Sequence, residues 1–289
     1  MASRDETTEG DEWLRASQSQ RERCRRLITD GRTGIDVGRY AGEMITEVLE
    51  RLAHAEATAH ARYGQTGETA RFGPLVTVHA GPNLPVDTAW HDGTRAFTLE
   101  ELEGFEAFSA RYRQSATLHL LSAFAHPALP LLSQRGYALD YVLHVYIHAL
   151  ADLPDQPIAH LRQEEADAWA ALAAQGFGPG TEEIMFAVGH APGTQLFVAD
   201  VGGTPAATAA LSITEGIAAF HGTATLPAFR GQGIQTTLLA YRLNVAAQAR
   251  AHLASVFVTP GTGSERNVER AGFMLVGARL TLTRKDRLF

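Results

Sequence analysis

The apolar residues of this chain follow two periods. Met44, Val48, Leu52 and Ala55 recur at helical spacing within RYAGEMITEVLERLAHAEATAHARYG (39–64) and predict a helix. PLVTVHAG (74–81) reads as a short strand. TLEELEGFEAFSARYRQ (98–114) reads as a helix opened by a capping box, with Thr98 followed three residues later by Glu101. TLHLLSAFA (117–125) reads as a strand, and PALPLLSQRG (127–136) as a short helix stopped by Gly136. YALDYVLHVYIHAL (137–150) is rich in β-branched and aromatic residues and predicts a long strand.

ADLPDQPIAHL (151–161), with its two prolines and two aspartates, reads as a linker. The pattern then restarts. QEEADAWAALAAQGFG (163–178) predicts a helix ending in glycine. Residues 194–226 predict three antiparallel strands turning at Gly202-Gly203 and Glu215-Gly216. GIQTTLLAYRLNVAAQAR (233–250) predicts a helix with Ile234, Leu238, Tyr241 and Val245 on one face. A strand (253–260), a short helix (264–272) and a final strand (273–285) complete the chain.

A shift of 136 residues lays SQRGY (133–137) on ERAGF (269–273), the helix 98–114 on the helix 234–250, and LHLLSAF on ASVFVTP. Helix, strand, short helix, Gly-aromatic pair and long strand recur in one order and register, which points to two copies of one domain. The expected division is a polar N-terminal segment (1–35) with a helix near 21–28, a first domain (36–152), a linker (153–161) and a second domain (162–289). The predicted class is α+β, two similar domains, each a mixed, largely antiparallel sheet flanked by helices.

Composition narrows the function classes. The 289 residues are 45% hydrophobic and 20% charged, enough for a sizeable core. A formal charge of -7 argues against a general nucleic-acid surface and weakly favours a cationic substrate. Cys24 is the only cysteine, so no internal disulfide or cysteine metal cluster is expected, and no HExxH spacing suggests a histidine metal site. The start, MASRDETTEGDEW, is polar and unlike a signal peptide, and no run of about 18 apolar residues suggests a membrane span. A cytoplasmic protein, monomer or homodimer, without a membrane or nucleic-acid partner, is the expectation.

Arg230-Gly231-Gln232-Gly233 opens the helix at 233–250. Backbone N–H groups at a helix start lack partners and carry partial positive charge. Glycines let them approach a ligand closely, and Arg230 adds a bidentate donor, so a pyrophosphate is a natural guest. The spacing matches neither a Walker loop, which needs a lysine after its glycines, nor a dinucleotide fingerprint, whose last glycine position holds Thr236. PGTGS (260–264) also carries two glycines but reads as a plain loop.

The run Leu226-Pro227-Ala228-Phe229-Arg230-Gly231-Gln232-Gly233-Ile234 resembles the acyl-CoA loop of the GNAT N-acetyltransferases, and the likeness extends over about residues 158–289. It is closer to a bacterial subgroup carrying ATLPAFR and, further on, RN..RAGF. The first half resembles a degenerate copy; its equivalent of the loop, AWHDGTRAF (89–97), lacks the arginine-glycine pattern. The resemblance implies that acetyl-CoA is the acyl donor and that no metal is needed. Thr225 and Leu226 would pair with the pantetheine arm, in the gap between strands splayed near 220–226 and 255–259. The N–H groups of Gly231, Gln232, Gly233, Ile234, Gln235 and Thr236 would hold the pyrophosphate, with Arg230 beside them. Ser264 and Asn267 would touch the cofactor or cap their helix. A small-molecule or peptide amine would attack the thioester directly.

The chain departs from the family pattern. Gln235 stands where a small residue is usual, and Val268 where many members place a tyrosine general acid. No carboxylate occupies the strand before the loop; His221 is the candidate base there, or else a strand histidine with a structural hydrogen bond. Trp90, His91 and Asp92 fit either an acceptor pocket or a turn. Two readings remain at this point: an N-acyltransferase, or a GNAT-like module that binds acyl-CoA or a partner without turnover.

Overall fold

A computed structural model describes residues 37–82, 84–150, 153 and 161–285. The polar N-terminal segment, its expected helix at 21–28 and most of the predicted linker lie outside the described residues. The chain divides into two compact units, Met1–Val48 and Leu49–Phe289. Of the first, residues 37–48 are described; they are helical and belong to α1 (Val37–His60).

The second unit holds one continuous eleven-stranded sheet. Its strands in chain order are β1 (Glu68–Phe72), β2 (Leu75–His79), β3 (Ala89–His91), β4 (Thr117–Leu121), β5 (Tyr137–Ala149), β6 (Arg162–Gln163), β7 (Thr194–Val201), β8 (Thr204–Thr214), β9 (Ile217–Thr225), β10 (Leu253–Val258) and β11 (Met274–Arg284). The helices are α2 (Leu99–Arg111), α3 (Ala125–Gln134), α4 (Ala166–Phe177), α5 (Glu182–His190), α6 (Ile234–Gln248) and α7 (Gly263–Arg270).

Local chemistry explains most boundaries. Thr98 and Glu101 form the expected capping box: the hydroxyl accepts from the Glu101 N–H at 3.3 Å and the carboxylate from the Thr98 N–H at 2.8 Å. The β7–β8 and β8–β9 hairpins turn through Gly202-Gly203 (φ 58°, 80°) and Glu215-Gly216 (φ 51°, 77°), the left-handed pairs that match strand twist.

The strand order is β1-β2-β3-β4-β11-β5-β10-β9-β8-β7-β6. Among the described residues only β3–β4 and β9–β10 pair in parallel. The shift of 136 residues seen in the sequence carries α2 onto α6, β4 onto β10, α3 onto α7 and β5 onto β11. The last strands are exchanged: β5 pairs with β10, and β11 with β4, while β5 and β11 pair with each other along the middle. The expected mixed, largely antiparallel character holds, but the two half-sheets are fused edge to edge. Tyr146 of β5, almost fully buried, donates to Glu265 and Glu269 of α7 at 3.0 and 2.8 Å, tying an early strand to a late helix.

The main apolar cluster lies where α6 and α7 cover β8, β9 and β10. On α6, Ile234 and Leu238 are buried as the helical period predicts, whereas Tyr241 and Val245 pack only at the rim. Leu239, Leu243, Ala246 and a fully buried Arg242 complete the inner face. The nine-residue α5, absent from the sequence-based expectation, is held by Met185 and Val188 packing in the cluster around Trp169, a tertiary gain that a short isolated helix lacks.

Candidate functional site

The site starts from a defect in the β8–β9 ladder. Pairing is regular up to Ala210↔His221 and resumes at Thr208↔Ala224, so Gly222 and Thr223 face a single residue, Ala209. This is a β-bulge, which kinks its strand and frees carbonyls. Side chains satisfy them. Trp169 Nε1 donates to the Ala209 carbonyl at 3.2 Å, Thr208 Oγ1 to Gly222 at 3.1 Å, and Arg242 Nη1 to Ala210 and His221 at 3.1 and 3.4 Å. Gly222 has φ 59°, and a Cβ there would lie 2.5 Å from the Trp169 ring, so both the conformation and the close approach require glycine. Arg242 is further held by its own helix, through the Leu238 carbonyl, and by the Phe220 ring 4.6 Å away.

Beyond the bulge β9 leaves β10. Their parallel pairing ends at Phe220↔Val256, and residues 221–225 separate from 257–258. A groove of about 870 Å³ opens there, lined by Thr223, Thr225, the 229–236 loop, Ser264, Asn267 and Arg270. Gly231 and Gly233 take φ 78° and 76°, and nothing lies within 4 Å of where their Cβ atoms would be. The N–H groups of residues 231–235 have no backbone acceptor among the described residues. They form the anion-seeking start of α6.

Several expected contributions are corrected. The Thr236 N–H donates to the Gly233 carbonyl at 3.0 Å and is not free. Leu226 is also committed: its N–H donates to Ala206 and its carbonyl accepts from Phe229, both at 2.9 Å, so it cannot pair with a ligand arm. Strand alternation turns the Thr225 amide the other way, towards the gap, but its carbonyl accepts from Arg230 Nε at 3.1 Å. Arg230 donates as well to the Gly176 carbonyl at 3.2 Å, so it clamps the loop to α4 while its exposed head stays on the groove. Ile234 sends its side chain into the core and only its N–H to the groove.

Ser264 does not cap α7. Thr262 does, accepting from the Glu265 N–H at 3.3 Å. Ser264 and Asn267 instead bond Gln235, whose amide donates to Ser264 at 3.2 Å and accepts from Asn267. This polar wall, together with Arg270, was missed as a unit, because its members lie on two helices.

On the other side of the splay a cavity of about 350 Å³ is lined by Glu56, Trp90, His119, His221, Ser255 and Arg279, among others. His221 is placed here, but not as the expected base. Burial and the nearby charges of Arg242 and Arg62 pull its pKa down to about 4, so it binds a proton too weakly to serve near neutrality. Its Nε2 lies 3.3 Å from Ser212 Oγ. Of the Trp90-His91-Asp92 run, only Trp90 reaches the cavity; His91 bonds the Arg95 carbonyl and Asp92 pairs with Arg71. Val268 is buried in the core and offers no proton. Glu56 was not singled out from the sequence; its only signal there is a carboxylate among the alanines of α1. Among the described residues no helix is long and apolar enough to cross a membrane.

Residues 158–273 match the family model described as Acetyltransferase (GNAT) family. A GCN5-related N-acetyltransferase from Kribbella flavida superposes with a TM-score of 0.65 at 22% identity, covering 82% of this chain and 95% of that one. A putative GNAT acetyltransferase from Novosphingobium aromaticivorans gives 0.56 at 16% identity, covering 82% and 99%. At these identities the likeness is one of fold. No curated protein matches the chain. A splayed parallel strand pair, a bulge beside it and an Arg-Gly-Gln-Gly helix start thus meet in residues 158–273, the segment that matches the model of the GNAT acetyltransferase family.

Proposed function

We propose that this protein transfers an acetyl group from acetyl-CoA to a primary amine by direct attack on the thioester. The observation that carries the reading is the row of N–H groups at 231–235, free of backbone acceptors, on a groove that runs into the gap between β9 and β10. Gly231, Gln232, Gly233, Ile234 and Gln235 would bind the pyrophosphate through their N–H groups. Arg230 and Arg270 would add charge, Thr225 would meet the pantetheine arm, and Ser264 and Asn267, joined by Gln235, would wall the cofactor. The amine nitrogen forms a bond to the carbonyl carbon as the carbon–sulfur bond breaks. In this reading residues 36–152 are a degenerate copy of the family's fold and 162–289 the working domain, in a cytoplasmic enzyme without a metal.

Titration calorimetry with acetyl-CoA is expected to give one site per chain, because AWHDGTRAF (89–97) lacks the glycine loop. Two equivalent sites would overturn the assignment to the second half, and none would remove the acyl-CoA reading. Free-thiol release across a panel of primary amines tests turnover. Tight acetyl-CoA binding without thiol release from any amine would mark a binding module instead.

A further inference from the structure

The cavity beyond the splay holds a charged group that the fold leaves partly unused. Among the described residues Arg279 Nε is buried without a hydrogen-bond partner, while the Ser255 hydroxyl lies beside the Glu56 carboxylate; both residues line the cavity. Leaving such groups unsatisfied is costly, and for a charged group more so. Arg279 sits among the rings of Trp90, Tyr141 and Phe257, 5.4–5.6 Å from each centroid, and among the described residues its guanidinium donates only to the Tyr141 hydroxyl, at 3.2 Å. Glu56 faces the same space from α1, and β9 joins that space to the groove: residues 219–221 line the cavity and 223–225 the groove.

We infer that this cavity receives the acceptor, that the Glu56 carboxylate takes a proton from its ammonium group, and that Arg279 holds a carboxylate on the same small molecule. The acceptor class is therefore an amino acid or a close relative. The inference rests on the acyl-transfer reading above. It draws the base from outside the matched segment, from the other half of the chain. A volume of about 350 Å³ suits a molecule of amino-acid size and not an oligosaccharide.

The proton balance closes. The ammonium gives one proton to Glu56, the freed nitrogen forms its bond to the thioester carbon, and the sulfur leaves with the bonding pair. The second surplus proton of the nitrogen goes to that thiolate, giving the amide and free CoA, and Glu56 returns its proton to solvent. Burial raises the Glu56 pKa to about 7 against the charge of Arg279, the Ser255 hydroxyl and the charge of Arg62, which suits a base working near neutrality. The other titratable groups facing it hold their state there. His60 and His221 are lowered to about 4, His119 is well below its usual value, and Tyr63 is raised to about 12, all chiefly through burial.

The test offers the full chain acetyl-CoA and a panel of amino acids, each paired with the amine that lacks its carboxylate, and follows free thiol. The parent should prefer the amino acids. E56Q should lower turnover at pH 7 by about 10² to 10⁴-fold with acetyl-CoA affinity unchanged, and its rate should keep rising to high pH where the parent levels off. R279Q should raise KM for the amino acid by about tenfold or more and leave that of its paired amine in place. If R279Q does not fold, R279K, which keeps the charge and loses the fork, should show the same selective rise in smaller measure. Superimposable pH profiles for E56Q and parent, or a parent that prefers the amines without a carboxylate, would overturn the inference. So would acetyl-CoA binding with no panel member acetylated, which leaves the acyl-CoA reading standing; failure of acetyl-CoA to bind removes both.

Discussion

Acidification from pH 7 to pH 4 is expected to cost this protein a few kcal/mol and to lower its Tm by roughly 10 °C. The cause is a set of histidines buried neutral around the central cavity. His60 bonds the Thr88 carbonyl at 3.0 Å, His119 lies 3.0 Å from the Thr281 hydroxyl, and His221 lies 3.3 Å from that of Ser212. Burial lowers the pKa of His60 and His221 from 6.5 to about 4 and drives His119 well below 6.5. The unfolded chain then binds protons more readily than the folded one between pH 6.5 and 4. Stability is complete above 6.5 and is lost as the pH falls towards 4, by about 3 kcal/mol for each of His60 and His221. Glu56 works the other way. Its pKa is raised from 4.5 to about 7, so the cost of ionising it disappears as the pH falls through that window, which returns about 3 kcal/mol. His60→Gln keeps a donor for Thr88 without a titrating group and should flatten the acid limb. Glu56→Gln should be more stable than the parent at pH 8 and indistinguishable from it below pH 4.5. Thermal melts from pH 4 to 8 check all three curves, and a parent Tm that does not change across that range would show that these side chains are hydrated.

Gly233→Val should weaken acetyl-CoA binding by about a hundredfold or more while the fold survives. Gly233 is the N-cap of α6 at φ 76°, in the left-handed region, and its Cβ position faces open groove. An L residue there costs about 1–2 kcal/mol, and a β-branched one more. The loop escapes by turning, which disperses the N–H groups at 231–235, or it stays and puts two methyl groups where a phosphate would approach. No neighbouring atom is struck, so the damage stops at the loop. Calorimetry should show the lost affinity with an unchanged melt; unaltered binding would take the loop out of the site. Gly222→Ala is the opposite case. Its Cβ would meet the Trp169 ring at 2.5 Å in a left-handed conformation, so Tm should fall markedly.

Much of the architecture could be read locally. Both hairpin turns, the Thr98 capping box, the glycine-opened α6 and the terminal Gly-aromatic pairs depend on residues within a few positions of one another, where propensity and turn chemistry act directly. The recurrence of helix, strand, short helix and long strand at a spacing of 136 residues was legible for the same reason, since these elements keep their order. The anion-seeking helix start needed only Arg230 and two glycines in sequence.

What the sequence alone did not decide depends on which strands become neighbours. Nothing in the spacing of β5 and β11 says that they exchange places, because strand pairing is set by the burial of whole faces across more than a hundred residues. That exchange determines the cavity: β5 and β11 bring Tyr141 and Arg279 to the end of β10, where α1 supplies Glu56. The same holds for proton affinities. His221 had the parity of a base, but its pKa is lowered first by burial and then by Arg242 and Arg62, which approach it from α6 and from the turn after α1. Leu226 had the position of a ligand partner, yet the ladder to Ala206 uses its N–H. Period, capping and turn chemistry are properties of short windows; burial and charge proximity arise only when distant windows meet, and they turned a histidine into scaffold and an overlooked glutamate into the candidate base.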